Sequence, residues 1–339
     1  MKNRYRHSPA LISIVGLVAL ASNFSCMLRA DSDSPNLAPQ NNPTPTATAS
    51  VAADESANLF DVNFLESQLS PTSSPTFSMD DAATQSSYVP IRNRLTNEEK
   101  SELTEDTLNP ISDLTSVMFQ YNVDFGVGPK ETSLDAPNIQ PQIPISLGPD
   151  WDLITRTVIP YVYAPSPANG ISTTSGLGDI TTSLFFSPRK TLRGWIWGVG
   201  PAFLFPTATD PALGSQKWGA GPAAAVLRQN SIWTYGILAQ QIWSFAGNSQ
   251  RSSVNFTYLQ PFVSYTFPTF TAIRLDTEST YNWTGRQWIV PINLGASQVF
   301  KIGKQPMSVY LGGRYYAQGP YGGPDWGFRF GLTILFPND

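Results

Sequence analysis

From Trp326 to Phe336 every second residue is large and apolar: Trp326, Phe328, Phe330, Leu332, Ile334 and Phe336. Gly327, Arg329, Gly331 and Thr333 stand between them. A period of two places the first set on one face of a β-strand and the second set on the other. The same alternation begins upstream, with Val117, Phe119, Tyr121, Val123 and Phe125 set against Met118, Gln120, Asn122 and Asp124. It recurs through 139–147, 151–161, 180–186, 195–205, 218–226, 233–239, 259–265, 273–283, 288–294 and 309–315. The pattern predicts about twelve strands of about ten residues each, the length and even count of a membrane barrel.

An apolar face on every strand fits two architectures. In a soluble sandwich that face points at a core; in a membrane barrel it points at lipid, and the small or polar face lines the lumen. The connections separate them. Those at 126–138, 164–178, 206–217, 244–253 and 318–325 are longer than the alternating set at 148–150, 188–194, 229–232, 268–270 and 301–306, and only 284–286 breaks the rule. A barrel with both termini in the periplasm alternates long outer loops with short inner turns, and a sandwich has no reason to. Tryptophans 151, 195, 218, 233, 283, 288 and 326 stand at strand ends, where amphipathic rings form girdles at the headgroup level. The predicted class is all-β: a transmembrane antiparallel up-and-down β-barrel of about twelve strands, preceded by a disordered N-terminal segment. Pro141, Pro160, Pro201, Pro222, Pro261 and Pro291 fall inside the strands and conflict with an unbroken ladder.

The first residues read differently. Lys2, Arg4 and Arg6 precede the apolar run 10–21, a basic region and a core too short to span a bilayer. The expectation is a signal peptide within residues 1–30, with cleavage after Ala21 or Ala30. Cys26, the single cysteine, is a poor lipidation site because Asn23 and Phe24 replace the small residues such a site wants. Residues 31–108 are rich in Pro, Ser, Thr and Asn and read as a disordered periplasmic linker, either a spacer or a tether without a further role. Within it Asn97 and the acidic Glu98 and Glu99 predict a short helix near 97–107. The barrel domain is assigned to 109–339.

Composition narrows the chemistry. Charged residues make up 14% of the 339-residue chain, aromatics 12%, and the net charge is −4, with no basic stripe for nucleic acid. The mean hydropathy of −0.15 is too polar for a helical membrane protein but suits an alternating barrel. The one histidine, His7, lies in the predicted leader, so His-assisted nucleophilic catalysis and most zinc chemistry lack their key side chain. No catalytic, cofactor-binding or metal-ligating residue is assigned, no cofactor is expected, and the chain is expected not to be an enzyme.

Seven charged residues fall on the polar parity of the strands: Asp152, Arg156, Arg274, Asp276, Glu278, Arg314 and Arg329. Arg274, Asp276 and Glu278 share one face of one strand. They read either as a constriction of mixed sign that contacts solute, or as an ion-pair network that fills a narrow lumen and selects nothing. Removal of Arg329 is expected to leave folding nearly intact. Gly176-Leu-Gly-Asp179 lacks the Gly-Lys of a phosphate loop, and its glycines read as a loop-to-strand entry.

Several short motifs, in this order, resemble a family of bacterial outer-membrane proteins, the MetA-pathway phenol-degradation transporters, often labelled "transporter" or "neuromedin U". They include Asn109-Pro-Ile-Ser-Asp-Leu, Phe119-Gln-Tyr-Asn, Trp151-Asp-Leu-Ile-Thr-Arg-Thr-Val-Ile-Pro, Gly176-Leu-Gly-Asp-Ile, Trp197-Gly-Val-Gly-Pro, Lys217-Trp-Gly-Ala-Gly-Pro and Gly303-Lys-Gln-Pro. The resemblance spans roughly 109–336. It implies an outer-membrane barrel that transports small, hydrophobic or aromatic compounds, and it brings no catalytic residues. The implied partners are outer-membrane lipid, the barrel assembly machinery and a small-molecule substrate, with no nucleic acid. Many such barrels end on an aromatic that the assembly machinery reads; here Phe336 is followed by three more residues. A structural or adhesive barrel is the alternative, and a barrel enzyme a more distant one.

Overall fold

A computed structural model describes residues 95–337, apart from 167, 168 and 171. The predicted leader, Cys26 and most of the predicted linker lie outside the described residues.

One helix, α1 (Asn97–Leu108), precedes fourteen strands. These are β1 (Thr115–Val127), β2 (Thr132–Ser146), β3 (Trp151–Ala164), β4 (Thr174–Leu177), β5 (Ile180–Pro188), β6 (Trp195–Phe205) and β7 (Lys217–Gln229). There follow β8 (Trp233–Gly247), β9 (Asn255–Thr266), β10 (Thr271–Thr277), β11 (Ser279–Asn282), β12 (Gln287–Ile302), β13 (Gln305–Gln318) and β14 (Trp326–Phe336). Both β4 and β5 pair with β3, and both β10 and β11 lie between β9 and β12. Each of these couples is one wall strand with a break, so the wall is a closed, antiparallel barrel of twelve strands. It closes where β1 meets β14, from Thr115↔Phe336 to Phe125↔Trp326, without a register shift.

Alternation decides which side chains face out. Phe119, Tyr121, Ile139, Ile143, Val199, Val226, Ile237, Leu275, Leu294, Leu311, Phe328 and Phe330 are all exposed on the outer wall. An apolar belt around a whole circumference has no aqueous partner, and lipid is the medium that covers it. Trp151, Trp195 and Trp233 are exposed at the short-turn end, and Trp218, Trp283 and Trp326 at the opposite end, forming two girdles. Trp288 is instead half-buried and packs on Tyr281 at 4.8 Å.

Three expectations need correction. The connection expected at 126–138 is mostly strand: β1 runs to Val127, β2 starts at Thr132, and a tight turn through Gly128 (φ 69°) and Glu131 (φ 52°) joins them. Asp135, Pro137 and Asn138 mimic loop composition, but Leu134 and Ala136 are wholly buried and hold the strand in phase. The helix is capped by Thr96, not Asn97; Thr96 Oγ1 accepts from the Glu99 amide, and the Glu99 carboxylate accepts from the Thr96 amide. And residues 95–108 are not linker-like: Leu95, Leu103 and Leu108 are buried.

The strand prolines sit at gaps in the ladder. Pro201 faces Pro222 across β6 and β7. Neither has an N–H, so this must be a non-hydrogen-bonded pair, with the missing donors turned toward β5 and β8. Pairing lapses there, between Ser183↔Ala202 and Phe186↔Val199, and between Ala220↔Trp243 and Ala223↔Gln240. Each proline thus removes one bond on one side and leaves the other side intact.

Candidate functional site: a cavity and charged layer in the lumen

The inward face is not uniformly polar. On β3 to β9, Ile154, Val158, Phe185, Leu204, Leu227, Leu238, Ile242, Phe256 and Phe262 form one buried apolar cluster. Many inward positions of these strands are apolar as well, interrupted by polar groups such as Ser183 and Gln240, so much of this half of the lumen is a packed core. Polar chemistry is concentrated on β10 to β14 with β1 and β2.

The charged layer is there. Arg329 donates to Glu278 from both terminal nitrogens, at 3.0 and 2.5 Å, and from Nε to Asn122 Oδ1 at 2.9 Å. Arg314, fully buried, lies 3.6 Å from Asp124 and 4.0 Å from Glu278, over the Tyr316 ring. Arg274 pairs with Asp276 at 3.1 Å and stacks on Phe262, while Asn293 donates to Asp276 at 3.0 Å. Glu278 occupies the one-residue break between β10 and β11. Pairing with β9 lapses between Asp276↔Phe262 and Ser279↔Leu259, opposite Pro261. Pairing with β12 lapses between Thr277↔Ile292 and Thr280↔Ile289, opposite Pro291. The two prolines flank Glu278 and account for the interrupted strand.

Asp152 and Arg156 stand apart. Asp152 faces inward at the short-turn end, held bidentately by Arg189 at 3.0 and 2.7 Å. Arg156 donates to Gln140 at 3.0 Å; among the described residues no carboxylate lies within ion-pair distance of it. Asp124, Asn122, Asn293, Tyr310 and Arg189 were missing from the sequence-derived set. For Asp124 and Asn122 the signal was present, since both share the inward parity of β1 with Gln120. Arg189 was hidden because it looked like a turn residue.

Both ends of this lumen are covered. At the long-loop end, the segment 206–216 folds inward, burying Leu213 against Val127, Leu134, Val162 and Ala164. Asp179, in the break between β4 and β5, fastens it by accepting from the Ser215 amide and hydroxyl, each at 2.6 Å, and from the Ala208 amide at 3.2 Å. Arg251 clamps it from the next loop through the Pro211 and Gly214 carbonyls, at 2.8 and 2.6 Å. At the other end α1 and the segment leading to β1 form a plug. Ile111 enters the apolar half of the lumen, and Leu95, Leu103 and Leu114 pack on Val299 and Leu335. Gln142 and Gln229 hold its backbone through the Ser112 and Glu105 carbonyls. Burial and the neighbouring Asp113, Glu102 and Glu105 push the Asp106 carboxyl up to about 6, against the lowering effect of its bond from Ser112.

Between plug and charged layer lies a cavity of about 130 Å³. Leu108, Pro110, Leu114, Met118 and Leu335 make its apolar side; Gln120, Gln142, Arg156, Gln260, Ser308 and Tyr310 supply polar groups. Gly295 leaves room for the Tyr310 ring, whose Cζ stands 2.5 Å from where a Cβ would be.

No family model and no curated protein matches the chain. Among solved structures, the COG4313 outer membrane channel from Pseudomonas putida F1 is similar at 17% identity and a TM-score of 0.50, over 66% of this chain and 93% of that one. Outer membrane phospholipase A from Escherichia coli follows at 13% identity and 0.40, over 70% and 98%, and the NanC porin at 13% and 0.42, over 66% and 100%. The expectation that the chain is not an enzyme is corrected by this comparison: an enzyme stands among the barrels it is similar to, though 13% identity does not establish an activity. The likeness to the channel shows the fold, an outer-membrane type β-barrel.

Proposed function

We propose that this protein is an outer-membrane channel for small solutes, gated at both ends. The carrying observation is a closed barrel with a lipid-type outer belt whose lumen holds a charged layer and a cavity, rather than a continuous packed core. The motifs at Asn109, Trp151, Gly176, Trp197 and Lys217 support membership in the MetA-pathway transporter family, and the apolar side of the cavity supports a cargo with hydrophobic or aromatic character. The seven charged residues then act in three roles. Arg274, Asp276, Glu278, Arg314 and Arg329 set a constriction of mixed sign, Arg156 faces the cavity, and Asp152 with Arg189 braces the mouth. Passage requires the plug and the 206–216 segment to move aside.

The basic and apolar leader supports export, and the shared end of α1 and Phe336 supports a periplasmic position for the tail. The proposed partners are outer-membrane lipid, the assembly machinery and a small solute. Full-length protein in planar bilayers tests the channel: discrete conductance steps are expected, with ion preference altered in Arg329→Ala. A bilayer that stays silent with demonstrably folded protein would overturn it. For topology, protease added to intact cells should cut the 165–173 loop and spare residues 40–90.

A further inference from the structure

Charge balance, size and orphaned polar atoms around the cavity converge on one ligand chemistry. Three carboxylates of the charged layer, Asp124, Asp276 and Glu278, stand against three guanidinium groups, Arg314, Arg274 and Arg329. That layer is neutral. Asp106 on the plug brings the lining carboxylates to three against the three guanidinium groups of Arg156, Arg274 and Arg329, but Arg274 and Arg329 contact Asp276 and Glu278 whereas Arg156 contacts only the neutral amide of Gln140 at 3.0 Å, leaving its positive end open to the chamber. A cation in a chamber partly walled by apolar groups favours an anion, because the field is poorly screened there.

Two further groups lack partners. Gln260 is 5% exposed and its Oε1 has no hydrogen-bond partner, and the buried Tyr310 hydroxyl has none either; both residues line the cavity. Unmet buried polar atoms are costly, and an occupant that donates to one or both relieves that cost. The apolar side, from Leu108, Pro110, Leu114, Met118 and Leu335, asks for a compact hydrocarbon body. About 130 Å³ is slightly less than the ~150 Å³ of a cavity known to hold benzene, which sets the size.

We propose that the cavity is a binding site for a small hydroxycarboxylate, its carboxylate on Arg156 and its hydroxyl at Gln260 and Tyr310. The assignment deepens the channel reading and rests on it, since the site lies on the solute's route. The solute is captured between two closed gates and released when the plug withdraws.

The test is direct binding, independent of conductance. Radiolabelled 3-hydroxybutyrate is equilibrated with full-length protein in detergent and compared with butyrate, which lacks the hydroxyl, and with 1,3-butanediol, which lacks the charge. Saturable binding is expected for 3-hydroxybutyrate, several-fold weaker for butyrate and at least tenfold weaker for the diol. Arg156→Gln should weaken 3-hydroxybutyrate at least tenfold, while Lys190→Gln, which removes a charge from an exposed turn pair with Asp150, leaves it unchanged. Should Arg156→Gln fail to fold, Gln260→Leu decides: it should abolish the preference for 3-hydroxybutyrate over butyrate. No saturable binding, equal binding of the diol, or an unchanged preference in Gln260→Leu would each overturn the site, even if conductance is observed.

Discussion

Arg329 and Asn122 are 207 residues apart in the chain, yet the guanidinium Nε donates to the amide oxygen at 2.9 Å while the terminal nitrogens reach across to Glu278. One side chain on the last strand thereby ties the first strand to the interrupted one.

That arrangement changes the expectation for Arg329. Because it is buried and paired, Arg329→Ala leaves Glu278 with only Arg314, at 4.0 Å, and should cost about 3–5 kcal/mol rather than leave folding intact. Glu278→Gln should cost a similar amount by stranding Arg329, while Arg314 keeps Asp124 at 3.6 Å. The double variant Arg329→Met, Glu278→Met should recover most of the loss. Urea titrations of protein refolded into vesicles, read by heat-modifiable gel mobility, measure all three.

Phe330, 47% exposed next door, has the opposite environment. Phe330→Arg places a charge in hydrocarbon and should destabilise by about 2–4 kcal/mol if at the midplane. Unchanged stability in the same assay would contradict the lipid-facing parity of β14.

The plug should respond to pH. Asp106 is raised to about 6 when docked, so its burial favours the protonated form. Docking is therefore strongest below the ordinary carboxylate range, near pH 4, and weakens as pH rises through about 6, by up to about 3 kcal/mol. The negative charges of Asp113, Glu102 and Glu105 raise Asp106 in the same direction as its burial. Protection over 97–108, measured as hydrogen exchange relative to the intrinsic rate at each pH, should be higher at pH 5 than at pH 7.5, and Asp106→Asn should be equally protected at both.

Ile111 anchors the same plug with 2% exposure. Ile111→Ala should weaken docking by about 2–5 kcal/mol and raise the open fraction in planar bilayers without changing heat-modifiability. An unaltered open fraction would show that the plug does not gate.

At the other gate, Asp179→Ala removes three hydrogen bonds to the 206–216 segment. Limited proteolysis within that segment should accelerate at least tenfold, with the barrel itself left resistant.

The outer face was legible because lipid enforces strict alternation; Phe328 and Phe330 could be assigned from period alone. The helix was legible from its acidic first turn. The inner face was less so, because a lumen tolerates both a packed core and a wet ladder: Phe185, Leu204 and Phe256 satisfy the same period as Asn122 and Asp124. Nor does a strand pattern say which inward charges meet. Arg329 and Glu278 are joined by barrel curvature, which sequence spacing does not carry, whereas Asp152 shares their parity and lies at the mouth. The proline gaps were visible as residues but not as pairs, since Pro261 and Pro291 gain meaning only from the registers that set them opposite Glu278.

The split of the lumen into an apolar and a polar half also fixes an order of assembly. The apolar cluster is drawn largely from β3 to β9, neighbours in sequence, so its contacts close short loops and are entropically cheap. The polar half depends on the β1–β14 seam, which joins the two extremes of the described wall. On that ground a half-cylinder with a formed hydrocarbon trough is expected to precede the closed cylinder, with the charges meeting last. A chain halted before that step would expose two unpaired strand edges and an unneutralised row of arginines and carboxylates, a species that assembly must shelter until the seam zips.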